Sequence, residues 1–160
     1  MLPNLPTKLF TTRPRFIEFG ACDITLYSKR DFEESQLGFR TDYITKEPIL
    51  EWIGDNYWLI GDDSTCGDPF IIDTNNKNFP VYTIFHDDWN IKIKVADSFD
   101  SFVDILKLIK SYDLKDSSSI DRLITKIKAL YPKPIAEHWT DFINLIMNFM
   151  QNKKLSTNSA

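Results

Sequence analysis

A chain of 160 residues suits one domain with a single cooperative core, and 42% apolar with 26% charged residues excludes the disordered and membrane-embedded classes. Five glycines, with neither Walker spacing nor a GxGxxG run, provide no phosphate-cradling loop, and 23 acidic against 19 basic side chains, a net charge of −4, oppose binding to nucleic acid. The 12 Phe, 6 Tyr and 4 Trp predict a dense aromatic core.

The opening residues, MLPNLPTKLF, lack a basic segment followed by a long apolar run, so no secretory leader is expected and the expected compartment is the cytoplasm. Cys22 and Cys66 stand far apart and outside any CxxC pattern, which predicts reduced thiols rather than a disulfide framework or a zinc site. Residues 15–27, RFIEFGACDITLY, hold two short apolar runs broken by Gly20 and predict two strands. The following SKRDFEESQ, with Ser28 as a cap, predicts a short helix. ILEWI (49–53) and YWLIG (57–61) then flank Gly54-Asp55-Asn56, residues that tolerate positive φ, and together predict a hairpin. FIID (70–73), PVYTIF (80–85) and WNIKIKV (89–95) follow at spacings too short for crossover helices, so the sheet should be mainly antiparallel. In the last strand a period of two puts Trp89, Ile91, Ile93 and Val95 on one face and Asn90, Lys92 and Lys94 on the other.

After Asp97 the period becomes helical. Phe99, Phe102, Leu106 and Ile109 recur behind a Ser98 cap and end near Tyr112. A linker and cap at Asp116-Ser117-Ser118-Ser119 precedes a second stripe of Ile120, Leu123, Ile124, Ile127 and Leu130, which stops before Pro132. Pro134 opens a third helix whose wide apolar face contains Ile135, Trp139, Phe142, Ile143, Ile146 and Phe149. The apolar stretch 142–150 is far short of the ~20 residues a bilayer span needs, so no membrane association is expected. Strands first and helices afterwards predict one α+β domain over 1–150, strand-rich at 15–96 and helical at 98–150. Its central, mainly antiparallel sheet should carry helices packed on one face, with a polar tail at 151–160.

Chemistry is sparse. No triad order, GxSxG elbow, paired Cys and His or HExxH spacing is present, so no catalytic residue, metal or cofactor is expected. Residues 62–73, DDSTCGDPFIID, match an EF-hand loop at positions one, three, six and twelve, but strands flank the segment, and Cys66 stands where a hard oxygen is needed. His86-Asp87-Asp88 offers an imidazole beside carboxylates, yet adjacent strand positions point to opposite faces, which favours a turn. His138, beside Trp139, reads as a helix boundary residue. Two features remain. Residues 61–90 hold six aspartates (Asp62, Asp63, Asp68, Asp73, Asp87, Asp88) against Lys77 alone, a local charge of −5 that turn preference explains and that would also steer a basic partner. Trp52 and Trp58 sit in segments apolar on both faces, as in strands covered on both sides, the second cover being the N-terminal region or a bound partner.

The run NYWLIGDDSTCGDPFIIDT, then FPVYTIFHDDW, then VADSFDSFVDIL resembles the SUKH superfamily, which includes yeast cell-wall synthesis regulators and many bacterial immunity proteins. The resemblance lies in Trp58, Gly61, Asp62, Gly67, Asp68, Pro69, Asp73, Pro80, Val81, Tyr82, His86, Ser98, Phe99 and Phe102, and in Leu5-Pro6 set 14 residues before Phe19-Gly20. It is good over 50–106 and weak before that, with two extra helices after residue 118. It implies an α+β fold, no catalytic residue, and neutralisation of a cognate toxin domain by occlusion. Were that toxin a basic nuclease, Asp62, Asp63, Asp68, Asp87 and Asp88 would mimic phosphates, and Trp52, Trp58 or Tyr82 would anchor. A regulatory scaffold for an endogenous protein is the alternative expectation, and a metal-dependent enzyme the third.

Overall fold

The computed structural model describes residues 5–18, 22–64 and 67–157. Gly20, expected to divide the first two strands, and Cys66 both lie outside the described residues, as does Phe19-Gly20 of the resemblance. Six strands, β1 (Phe16–Glu18), β2 (Asp23–Leu26), β3 (Tyr57–Asp63), β4 (Pro69–Asp73), β5 (Val81–Phe85) and β6 (Asp88–Ala96), form one sheet in the order of the chain, every neighbouring pair antiparallel. Three α-helices follow: α1 (Phe99–Lys110), α2 (Ser117–Leu130) and α3 (Lys133–Thr157). The α+β class, the antiparallel sheet and the helices on one face are as the sequence predicts.

The helices start where side chains satisfy their free amides. Ser98 Oγ accepts from Ser101 N at 3.0 Å while Ser101 Oγ accepts from Ser98 N at 3.1 Å, a reciprocal capping box. The Asp116 carboxylate caps α2 by accepting from the amides of Ser118 and Ser119, both at 3.1 Å, and the Ser118 hydroxyl bond at 2.8 Å, together with these, holds its pKa below the ordinary aspartate value. Behind the caps, α1 and α3 press on the sheet, and α2 packs chiefly on α1 and α3. The main core lies between: Ile17, Ile24, Leu26, Ile60, Phe70, Ile72, Val81 and Val95 from the sheet meet Phe102, Leu106, Leu123, Trp139 and Ile143 from the helices. Full burial of each large side chain stabilises by roughly 1.5–3 kcal/mol. Trp139 is the largest fully buried side chain, and its Nε1 donates to Val95 O at 2.9 Å. Val95 is the extra residue of a bulge between the Val81–Ala96 and Tyr82–Lys94 pairs, and its carbonyl is the acceptor that the buried indole uses.

The connection between β2 and β3 departs from expectation. The short helix expected over SKRDFEESQ is a single 3₁₀ turn (Glu34–Gln36) preceded by turns, with Ser28 Oγ accepting from Asp31 N at 3.3 Å. ILEWI is not a strand. Residues 49–53 form turns that lie across the sheet face opposite the helices, where Trp52, Leu59, Ile71 and Ile84 make a second core with Phe39, Ile53, Tyr57, Tyr82 and Trp89 around it. The apolar residues on both sides of β3 are therefore explained by this connection, whereas Leu5, Leu9 and Phe10 of the N-terminal region pack on the helix side.

Gln36 makes that wrapping possible. β2 pairs only with residues 61–63 of β3, leaving the edge of β3 bare at Leu59. There the buried Gln36 amide acts as a one-residue strand: Oε1 accepts from Leu59 N at 3.1 Å, and Nε2 donates to Leu59 O at 3.1 Å and Phe32 O at 2.9 Å.

The predicted faces of β6 also change. A second bulge lies between the Ile84–Lys92 and Phe85–Asp88 pairs, so Trp89 turns to the second core while Ile93 stays on the helix side and Ile91 is exposed. Finally, α3 runs to Thr157, through seven residues expected to be polar tail; helical hydrogen bonding outlasts the apolar stripe. Among the described residues no helix is long and apolar enough to cross a membrane.

Candidate functional site

The meander brings the ends of β1, β3 and β5 and the starts of β2, β4 and β6 to one end of the sheet, and the sequence has loaded that end with carboxylates. Gly67, at φ +74°, turns the chain between β3 and β4, with open space around it. Asp68 then reaches the neighbouring turn: its Oδ1 accepts from His86 N at 3.0 Å and lies 2.8 Å from His86 Nδ1. His86 Nε2 lies 3.2 Å from Asp87, so one imidazole links both turns, and the hydrogen bond to Asp68, reinforced by Asp87, raises its pKa above the ordinary histidine value. His86-Asp87 is the two-residue turn of the β5–β6 hairpin, as expected, and it gathers carboxylates that strand geometry alone would have kept apart.

The five aspartates offered as phosphate mimics are not equivalent. Asp62 accepts from Tyr27 OH at 2.6 Å on the second face, and burial with this bond drives the phenol pKa upward. Asp63 is buried, and its backbone bonds to Asp68 O and Gly67 N close the turn. Asp68 is engaged with His86. Asp87 and Asp88 are exposed, Asp88 Oδ1 also accepting from Asn90 N at 3.0 Å. Asp73 belongs elsewhere: it pairs with Tyr57 at the opposite end of β4, about 13 Å from the Asp62–Pro69 pair at ~3.3 Å per residue, and accepts from Asn56 Nδ2 at 2.7 Å. The first and twelfth positions of the EF-hand match thus diverge along a hairpin. Among the described residues no group of three or more His, Cys, Asp or Glu side chains could hold a metal ion.

The expected anchors are differently placed. Trp52 is 9% exposed, its edge against Phe39 and Trp89 and its Nε1 donating to Tyr57 O at 3.2 Å, so the fold itself uses this ring. Trp58 is half-buried on the opposite side of β3, stacked on Phe32 and covered by the Arg40 guanidinium, 3.5 Å from the ring centroid. Tyr82 is half-buried near Tyr57 and Lys92, on the second face and away from the acidic turns. None of the three faces the carboxylates. Gly61, Pro69 and Val81 have structural positions: a Cβ on Gly61 would lie 2.2 Å from Thr25 O, Pro69 O accepts from Thr83 Oγ1 at 3.3 Å, and Val81 is buried in the main core.

What the acidic end does border is a groove of about 530 Å³ between α3 and the ends of β4, β5 and β6. Phe70, Phe85, Ile93, Phe142 and Leu145 give it apolar walls; Asp63, Asp68, Thr83, Asp141 and His138 give it polar points. Phe85 and Leu145 are 42% and 40% exposed at its sides. His138 is largely buried, Nε2 has no hydrogen-bond partner among the described residues, and burial lowers its pKa to about 4, so the ring is neutral at pH 7. Sequence reasoning assigned Phe142 to core and His138 to a boundary, and passed over Leu145 and Asp141. The available signal was the width of the α3 face, since positions 138, 142 and 145 extend the stripe beyond what one sheet contact covers. No family model, curated protein or solved structure matches the chain.

Proposed function

We propose that this chain is a non-catalytic protein-binding module that neutralises a basic partner domain by covering its working surface, in the manner its resemblance to SUKH immunity proteins implies. The observation that carries this reading is the convergence of the acidic turns with an apolar groove at one end of the sheet: charge for encounter beside apolar area for adhesion. Exposed Asp87 and Asp88 supply steering, and a cytoplasmic toxin domain with a cationic substrate site is the partner class that suits them. Trp52 holds the fold together and has no part in contact.

The test uses the full chain as bait in extract of the source cells at about 50 and 500 mM salt, a range over which exposed charges become screened. The expected result is one basic protein, retained at low salt and released at high salt, whose activity an equimolar amount of the chain abolishes. A partner whose activity is unchanged in the complex, or recovery of no basic protein, refutes the neutralising role. An endogenous non-toxic partner replaces it with the scaffold reading.

A further inference from the structure

We propose that the groove between α3 and the β4–β6 ends is the anchoring pocket for an extended basic segment, one bulky apolar side chain of which enters between Leu145 and Phe85 while flanking Lys or Arg residues meet Asp68 and Asp141. This deepens the protein-binding reading and rests on it. Three observations converge. The volume, about 530 Å³, falls within the roughly 300–1,000 Å³ of pockets that enclose small ligands, ample for one or two side chains. Phe85 and Leu145, both lining it, are 42% and 40% exposed, so apolar area is open to an entering side chain. The formal charge is acidic: Asp68, held by His86 through Oδ1, and exposed Asp141 line the groove, and no Lys or Arg is among the described lining residues.

Nearby cations are committed, Lys94 to Asp97 at 3.2 Å and Lys133 to Glu137 at 3.5 Å. An acidic segment would bring a carboxylate against Asp68 and Asp141, and a purely apolar one would desolvate Asp141 with nothing to offset its charge. A basic segment satisfies both requirements. Neutral His138 adds a ring nitrogen for one hydrogen bond to the entering backbone, and the stacked His138–Phe142 pair, centroids 6.4 Å apart, gives the apolar side chain a flat wall.

The experiment titrates the isotopically labelled full chain with the peptide Lys-Arg-Leu-Phe-Arg-Lys and with its acidic counterpart Glu-Asp-Leu-Phe-Asp-Glu, following Thr83, Ile93 and Leu145 by NMR. The basic peptide should shift these signals, bind at least about tenfold more tightly than the acidic one, and lose about tenfold affinity in Leu145→Arg and in Asp141→Asn at low salt. Both substituted positions are exposed, so the variants retain the fold. Equal affinity for the two peptides, shifts confined to the Tyr57, Tyr82 and Lys92 face, or no shift of the groove signals overturns the proposal. Titration reads the groove alone, and capture reads the whole surface. A captured partner that still binds Leu145→Arg removes the groove while the protein-binding reading stands.

Discussion

Replacing Gln36 with Ala should cost more stability than any other single polar substitution in the β2–β3 connection. Leu59 has no exposed surface and directs both of its amide groups at the Gln36 side chain, because β2 has already left that edge. Truncation orphans one N–H and one C=O, at about 1–3 kcal/mol each, and removes side-chain packing of about 1 kcal/mol. Partial hydration of the gap returns some of this, for a net loss near 3 kcal/mol. In a chain of this length that lowers Tm by about 6–12 °C. Gln36→Glu separates the two bonds: it keeps the acceptor for Leu59 N but aims a carboxylate at the carbonyls of Leu59 and Phe32. Such a carboxylate is expected to have a folded pKa above the unfolded value of about 4.3. The folded state then holds the proton more tightly, so the stability of this variant falls as pH rises from about 4 through the raised folded value, the reverse of an ordinary paired acid. Urea unfolding followed by tryptophan fluorescence, at pH 4.5 and 7, measures both effects. A loss below about 1 kcal/mol for Gln36→Ala with unchanged m-value would refute the account and mean that Leu59 finds another partner.

Three further outcomes follow from the turns and the histidines. Gly61→Ala should destabilise by about 2–3 kcal/mol, since its Cβ would strike the Thr25 carbonyl, whereas Gly67→Ala, facing open space but at positive φ, should lose only about 1–2 kcal/mol; thermal unfolding of the pair distinguishes steric from conformational cost. His86 is paired with Asp68, so its stabilising contribution is fully present below the unfolded pKa of about 6.5 and is lost as pH rises through the raised folded value; the ring-proton titration should move back toward about 6.5 in Asp68→Asn. His138 behaves oppositely. Its folded pKa of about 4 lies below the unfolded value, so the unfolded chain binds the extra proton and stability falls by about 3 kcal/mol as pH drops from 6.5 to 4; His138→Phe should flatten that acid limb, and an unchanged limb would place the cause in other groups.

Where local period and turn chemistry agree with tertiary packing, the elements were legible. Ser98 and Asp116 as helix starts, Pro132 as a stop, and His86-Asp87 as a turn all depend on neighbours within four residues. The misreadings share a different cause. Ile49 to Ile53 has the composition of a strand, yet the bare edge of β3 is taken by one glutamine, so the segment crosses the sheet and Trp52 becomes its cover. A strict period of two along β6 ignores the bulge, which moves Trp89 to the other face. The acidic component of the candidate site was visible as a run of aspartates. Its apolar component was not, because Phe85, Ile93, Phe142 and Leu145 come from three elements whose approach depends on how α3 crosses the sheet.

The strand order has a consequence for synthesis. Since each strand pairs with the one made just before it, a nascent chain can assemble the sheet as it emerges, hairpin closure in microseconds being far faster than elongation. Trp139 and the rest of α3 are made only after all six strands. At about 5–20 residues per second, the 25 residues of that helix take about 1–5 s to complete. Through that interval Phe70 lacks Trp139, the ring that stacks on it in the finished fold. The vulnerable moment in this protein's production therefore follows completion of the sheet, when it still lacks its lid and depends on chaperones or the ribosome surface to keep its apolar face from other chains.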